Sequence, residues 1–203
     1  MKIAFIGTGT VSKKLALPWS EAGHQIVFGS RNPGAGEAPY PIFNQADAVA
    51  DADVIVNAVP GNVSLETFRA IGDAALAGKV IIDLANAMGN DRGLLYPNSS
   101  LGKALQDALP SARVVKSMNT AYIGLIAKPG AYEDPGSLFL SGNDEGAKDV
   151  VRGLLDDLGW PPDRIIDLGG IETAQGAEHY FVLFRTLLGA MGGSRFNIRV
   201  VGT

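Results

Sequence analysis

The apolar residues of this chain fall into short unbroken runs, separated by segments of helical period. Lys2-Ile3-Ala4-Phe5-Ile6-Gly7 opens the chain, and similar runs recur at 26–29, 53–58 (DVIVNA), 80–84, from Val114-Val115, at 138–140 and at 164–168. Unbroken runs of this length suit strands buried on both faces, as in a parallel sheet. Ile42-Phe43 adds a brief strand, and 45–51 a short helical turn.

Between the runs lie amphipathic helices. Val11, Leu15, Trp19 and Ala22 share one face, closed by Gly23, with Pro18 inside and expected to kink the helix. Asn62 or Ser64 is expected to cap a helix running through Leu65, Phe68, Ile71, Ala75 and Leu76. Residues 101–109 form a helix ended by Pro110. Asp144 caps another through Ala147, Val151, Leu154 and Leu158, closed by Gly159. A long apolar helix follows at 171–191, and the tail 196–200 alternates like a half-buried strand. Residues 32–41, with three prolines and two glycines, read as loop.

Strand and helix alternate almost throughout, which predicts an α/β fold with a doubly wound, mainly parallel sheet. Residues 1–170 read as the sheet domain. Residues 171–203 read as a helix and strand packed on that same domain.

Composition narrows the picture. The 203 residues suffice for one substantial domain, and 46% hydrophobic with 19% charged residues suits a well-cored globule. A net charge of −4 argues against nucleic-acid or anionic-membrane partners. The absence of cysteine excludes disulfides, thiolate metal sites and cysteine nucleophiles, and no metal-ligand cluster stands out. Only four apolar residues separate Lys2 from Gly7, too few for a signal-peptide core, and no apolar run nears the roughly 18 residues of a membrane span. A cytoplasmic protein is expected.

The first strand leads into Gly7-Thr8-Gly9-Thr10-Val11-Ser12, a G-x-G-x-x-S loop that opens a helix. This is the context a Rossmann-type dinucleotide loop requires. Gly7 permits the tight turn, and Gly9 lets backbone amides approach a pyrophosphate. Thr8, Thr10 and Val11 offer further donors. Ser12 is small, as close packing of helix on strand demands, but departs from Gly or Ala.

Some twenty residues after the loop, NAD-binding chains place a carboxylate on the ribose hydroxyls. Here the second strand ends in Gly29-Ser30-Arg31-Asn32, with no acid between Glu21 and Glu37. A hydroxyl, a planar cation and an amide suit a 2′-phosphate, so NADP(H) is the expected cofactor.

Ligands in such sheets lie beyond the carboxyl ends of the strands. Three ends are expected to surround the nicotinamide: Ala58-Val59-Pro60-Gly61-Asn62, Asp83-Leu84-Ala85-Asn86-Ala87-Met88, and Lys116-Ser117-Met118-Asn119-Thr120. Asn86 and Asn119 are the polar candidates for orienting a carboxamide or substrate carbonyl, and capping a strand end is their alternative role. Thr120 belongs to the same group. His24 reads as structural. His179, on the last helix, could line a substrate pocket or simply pack. No Ser-His-Asp order and no general acid stands out, which suits direct hydride transfer between two redox cofactors.

With these pieces in place, the sequence resembles the coenzyme F420-dependent NADP oxidoreductases. It is also similar to the cytoplasmic reductase domain of the six-transmembrane metalloreductases. The resemblance rests on IGTGTVSKKLA, GHQIVFGSRNP, DVIVNAVP, VIIDLANAM, VVKSMNT, LFLSGNDEGAKDVVRGLLDDLGW and the closing FNIRVV. It implies NADPH held by residues 7–12, by Ser30-Arg31 and beside Val59-Pro60. It further implies a deazaflavin (F420) or flavin ring near Pro60, Asn86 and Asn119, a C-terminal helix closing the pocket, and a homodimer. An NADPH-dependent flavin, ferric, imine or carbonyl reductase remains the alternative enzyme. A non-catalytic NADPH-sensing module is the alternative outside enzymes.

Overall fold

The computed structural model describes residues 1–34, 39–91 and 93–202. Eight strands form one sheet in the order β3-β2-β1-β4-β5-β6-β7-β8. They are β1 (Lys2–Ile6), β2 (Gln25–Ser30), β3 (Ile42–Asn44), β4 (Val54–Asn57), β5 (Val80–Asp83), β6 (Arg113–Ser117), β7 (Leu138–Gly142) and β8 (Ile165–Asp167). Every pairing is parallel except β6 with β7, where Lys116 faces Ser141. This is a Rossmann-type doubly wound sheet with a C-terminal helix.

Successive strand residues point to opposite faces, so each apolar run feeds two cores. Ile3, Phe5, Val54, Val56, Val80 and Ile82 face one way. Ala4, Ile6, Ile55, Ile81 and Val114 face the other. Helix α1 (Thr10–Glu21) contributes Leu15 and Trp19 to the first core. The second core receives Ala48 and Val49 of α2 (Gln45–Ala50), then Phe68 of α3 (Gly61–Ile71) and Leu76 of α4 (Asp73–Leu76). Leu101 and Leu105 of α5 (Leu101–Ala108) join them. Leu125 and Ile126 of α6 (Ile123–Ala127) and Val151 and Leu154 of α7 (Glu145–Asp157) return to the first core. Finally α8 (Ala174–Ala190) runs on from a 3-10 turn at Ile171–Thr173. Both tryptophans are buried with their indole N–H satisfied. Trp19 donates to the Leu154 carbonyl at 2.8 Å and Trp160 to that of Ile126 at 2.9 Å. Among the described residues, no helix is long and apolar enough to cross a membrane.

Three expectations change. The helix beyond residue 61 starts at Gly61, with neither Asn62 nor Ser64 as cap, because Pro60 occupies that position. It stops at Gly72, whose φ of 92° breaks the run before α4 begins. The tail 196–200 is not a strand. Asn197 Nδ2 takes the carbonyls of Pro135 and Ser137 at 2.8 and 3.1 Å, leaving Ser137 N–H to Ile198 O as the main-chain bond. Side-chain amide bonds replace the ladder there. Pro18 does lie inside α1, yet the helix continues to Glu21. His24 joins Asp157 at 2.9 Å and the N-terminal amine at 3.2 Å, a structural role. Of the predicted loop 32–41, residues 35–38 lie outside the described residues.

Gly61 brings α3 against the end of β5. A β-carbon there would lie 2.6 Å from the Ala87 nitrogen and closer still to the Asn86 carbonyl. Gly61→Ala is therefore expected to lower stability by about 1–3 kcal/mol, read from urea unfolding. Gly153→Ala, inside α7 with nothing within 4 Å, should raise it by about 0.5–1 kcal/mol.

Candidate active site

Two clefts open beyond the carboxyl ends of the strands. The first, about 470 Å³, lies over the loop between β1 and α1 and is lined by Gly7, Thr8, Gly9, Ser30, Arg31 and Pro60 among others. Gly7 adopts a φ of 116° and donates to the Gly29 carbonyl at 3.0 Å. A β-carbon on it would meet the Ala58 carbonyl at 2.8 Å, so the loop threads between β2 and β4 only as glycine. Ser12 is buried and its hydroxyl donates to the Gly7 carbonyl at 2.8 Å, which locks the loop onto the helix.

Gly9 precedes α1 with no side-chain cap, no acid follows in the first turn, and nothing lies within 4 Å of its missing β-carbon. The unpaired amides of a twelve-residue helix thus face an open cleft. Ser30 ends β2, and its hydroxyl accepts from the Asn32 amide at 3.1 Å. Arg31 lines the same cleft, exposed, with no carboxylate partner among the described residues. These are the features a pyrophosphate and a 2′-phosphate demand, so the residues present fit NADP(H).

The second cleft, about 340 Å³, shares Val11 with the first. Leu84 and Asn86 reach it from beyond β5, Met118 and Asn119 from beyond β6, and Phe181 and Phe184 from α8. Among the described residues, no Asp, Glu, Lys, Arg or His lines it. Asn119 Nδ2 donates to Asn86 Oδ1 and to the Ala177 carbonyl, both at 3.0 Å, and Asn86 Nδ2 donates back to the Asn119 carbonyl at 2.8 Å. Two acceptors fix the orientation of the Asn119 amide. Its Oδ1 is left buried without a partner among the described residues. The adjacent Ser117 and Thr120 hydroxyls are also buried without partners. Met118 between them holds a φ of 59°, a conformation that costs a non-glycine residue about 1–2 kcal/mol.

The sequence-predicted residues divide accordingly. Gly7, Thr8, Gly9, Val11, Ser30, Arg31, Val59 and Pro60 line the first cleft. Asn86 and Asn119 line the second, not the first. Thr10 begins α1, Asn32 is exposed beside Ser30, and Thr120 is buried behind the wall. His179 lines neither of these two clefts. It is exposed and its Nε2 lies 3.0 Å from the Pro97 carbonyl. Ala177, Phe181 and Phe184 define the inward face of α8, and two residues beyond Ala177 is a rotation of about 200°.

Sequence reasoning missed the charge cluster behind the second cleft. Lys116 is fully buried, with Nζ 2.9 Å from Asp83 Oδ2, 2.9 Å from Glu178 Oε1 and bonded to the Ala85 carbonyl. Asp83 also accepts from Asn57 Nδ2 at 2.8 Å. Glu178 accepts from the first amides of α5, Leu101 at 2.9 Å and Gly102 at 3.1 Å. Burial alone would push the Lys116 pKa down, but Asp83 and then Glu178 outweigh it and hold it above the usual 10.5. The available signal was a lone charge inside each of two adjacent apolar runs, Asp83 and Lys116.

Comparison with known proteins places this architecture. The family of NADP oxidoreductases, coenzyme F420-dependent, matches residues 2–87. A crystal structure from Arthrobacter sp. FB24, assigned as an F420-dependent NADP-reductase, is 37% identical, covers 100% of both chains and superposes with a TM-score of 0.92. The metalloreductase STEAP3 of Rattus norvegicus is 26% identical over 183 residues. Those residues are 87% of this chain, which spans only 36% of that relative's length. A reductive aminase from Aspergillus terreus, 20% identical, shares the fold with a TM-score of 0.69 over 94% of this chain and 62% of its own.

A lysine whose pKa rises on folding contributes stability that is complete below its unfolded value and is lost as pH climbs through the folded one. The Lys116 contribution should therefore be present at neutral pH and fade on the alkaline side of 10.5. Lys116→Met strands two buried carboxylates and is expected to cost about 3–5 kcal/mol at neutral pH, read from denaturant unfolding.

Proposed function

Because the chain belongs to the family of coenzyme F420-dependent NADP oxidoreductases, we propose that it moves a hydride between NADPH and coenzyme F420. That it is an NADP-dependent oxidoreductase follows from the family. The acceptor is our reading. The observation that carries it is the junction of the two clefts at Val11, one built for phosphates and the other for a flat, uncharged ring. The reduced nicotinamide supplies the hydride when bound.

The protein's residues supply alignment. The amides at the start of α1 and the Arg31 guanidinium hold the nucleotide from one side. Asn119, its amide fixed by Asn86 and Ala177, would form part of the wall against which a bound ring lies. Phe181 and Phe184, stacked at 5.8 Å between centroids, exclude water from the far wall. We also read the protein as a homodimer through α8. Val182 and Leu183, 47% and 52% exposed, give that helix an apolar outer face that a second copy would cover.

A second reading has one observation in its favour. Among the described residues, Tyr122 is the one ionisable side chain lining the second cleft, and an imine or carbonyl reductase would need it as proton donor. Purified protein with NADPH is to be offered F420, FMN with a ferric chelate, and a cyclic imine in parallel. Oxidation with F420, undiminished in Tyr122→Phe, supports our reading. Oxidation only with the imine, abolished in Tyr122→Phe, replaces it, and binding without oxidation by any acceptor would make the chain an NADPH sensor. Arg31→Ala should raise the KM for NADPH at least tenfold while changing that for NADH less than twofold, and an equal effect on both would remove Arg31 from the phosphate site.

A further inference from the structure

Helix α8 lends Phe181, Phe184 and Leu188 to the wall of the second cleft, and Ser194 joins them from beyond its end. The first half of the helix is fastened to the sheet. Glu178 meets Lys116 at 2.9 Å, and the Ala177 carbonyl accepts from Asn119 at 3.0 Å. Both fastenings precede the wall residues. Further on, Leu188, Gly189 and Ala190 are all exposed, so burial does little to hold the second half in place.

The segment after the helix supplies a second hold. Gly192 takes a φ of 65°, and the chain then runs beside residues 134–137, which lead into β7. Asn197 Nδ2 donates to the carbonyls of Pro135 and Ser137 at 2.8 and 3.1 Å. The Ser137 amide donates to the Ile198 carbonyl at 2.8 Å, and the Val200 amide to Ser137 Oγ at 3.1 Å. Arg199 adds an exposed bond to Asp134 at 2.9 Å. Gly136 makes room for the tail: a β-carbon there would lie 2.9 Å from Asn197 Nδ2 and closer still to the Ile198 carbonyl. Next to Asn197 in the chain, Phe196 packs on Phe184 with ring centroids 5.0 Å apart, and Phe184 stacks in turn on Phe181 at 5.8 Å. Contacts thus run without a gap from the leader of β7, through Asn197 and Phe196, to the cleft wall.

We propose that Asn197 is a positioning residue for the second cleft. It ties the tail to the carbonyls before β7, seats Phe196 on Phe184, and so fixes the wall against which the hydride acceptor lies. Asn197 itself lines neither cleft. The proposal rests on the two-cleft reading above and adds to it a residue that acts through another. Both protons of the Asn197 amide are committed, one to each carbonyl. An isosteric carboxylate donates neither and sets a charge against two carbonyl oxygens, which releases the tail. The nucleotide cleft shares none of these contacts, so the loss falls on the acceptor alone.

Asn197→Asp and Gly136→Ala disturb the same bonds from opposite sides, and Phe196→Ala keeps the bonds but removes the ring they seat. Steady-state rates of the full chain are to be measured with F420 and NADPH varied in turn. Each variant is expected to raise the KM for F420 about five- to tenfold while moving that for NADPH less than about twofold. Hydrogen exchange read by mass spectrometry, without any acceptor, gives a second measure. In Asn197→Asp the amides of 184–190 should exchange at least about tenfold faster, with those of 174–179 and of β1 unchanged. An unchanged KM for F420 in Asn197→Asp or Phe196→Ala overturns the proposal, as does an equal rise in both KM values or undiminished protection at 184–190. If the unmodified protein turns over no F420, the hydride-transfer reading falls, and hydrogen exchange still decides whether Asn197 holds the wall.

Discussion

A single buried ammonium holds this protein's site together. Lys116 sits in the middle of the sheet between two carboxylates, and each carboxylate answers to a different part of the fold. Asp83 belongs to the neighbouring strand and is tied onward to Asn57 of β4. Glu178 belongs to α8 and spends its remaining capacity on the open amides of α5. Desolvating three charges costs several kcal/mol per ion, and such a cluster survives only when every lone pair is used. Here the excess negative charge is met by a helix N-terminus, where backbone amides and the helix dipole favour it. The cluster contributes position more than stability. It sets the azimuth of α8 on the sheet, and with it the placement of the Ala177 carbonyl, Phe181 and Phe184.

From that placement the chemistry of the two clefts follows. The Ala177 carbonyl and Asn86 together claim both protons of the Asn119 amide, leaving an acceptor with no protein partner. The same corner holds Met118 at a positive φ and two hydroxyls without partners. Strain and unmet hydrogen bonds concentrate at the carboxyl end of β6, where a sheet of this topology receives ligands. On the other side of Val11 the uncapped start of α1 and the unpaired Arg31 form a site of opposite character. One cleft presents backbone amides and a guanidinium, and the other has no charged side chain in its walls among the described residues.

Much of this was legible in the chain. The first core strands, the glycine loop and the missing acid after β2 are local patterns, read over a handful of residues. The cap of the 144–158 helix was equally local, with Asp144 accepting from the Ala147 amide at 2.7 Å. The features that escaped are those decided at a distance. Residues 83, 116 and 178 meet only after the sheet is assembled, and nothing in their spacing announces it. The tail at 196–200 alternates like a strand, but Asn197 intercepts the carbonyls that a ladder would have used. His179 sits on an apolar helix, yet which face turns inward was settled by Glu178 beside it. The reversal of β7 against β6 depends on the path of the chain through α6, not on the apolar run itself.

The central claim is that hydride passes directly between two rings brought together at Val11. NADPH carrying deuterium at its transferable position, mixed with the protein and F420 in ordinary water, tests it most directly. Direct transfer predicts that the label is recovered at the reduced carbon of the deazaflavin, from one face of the nicotinamide only. Label lost to solvent, or NADPH left unoxidised, would contradict the account.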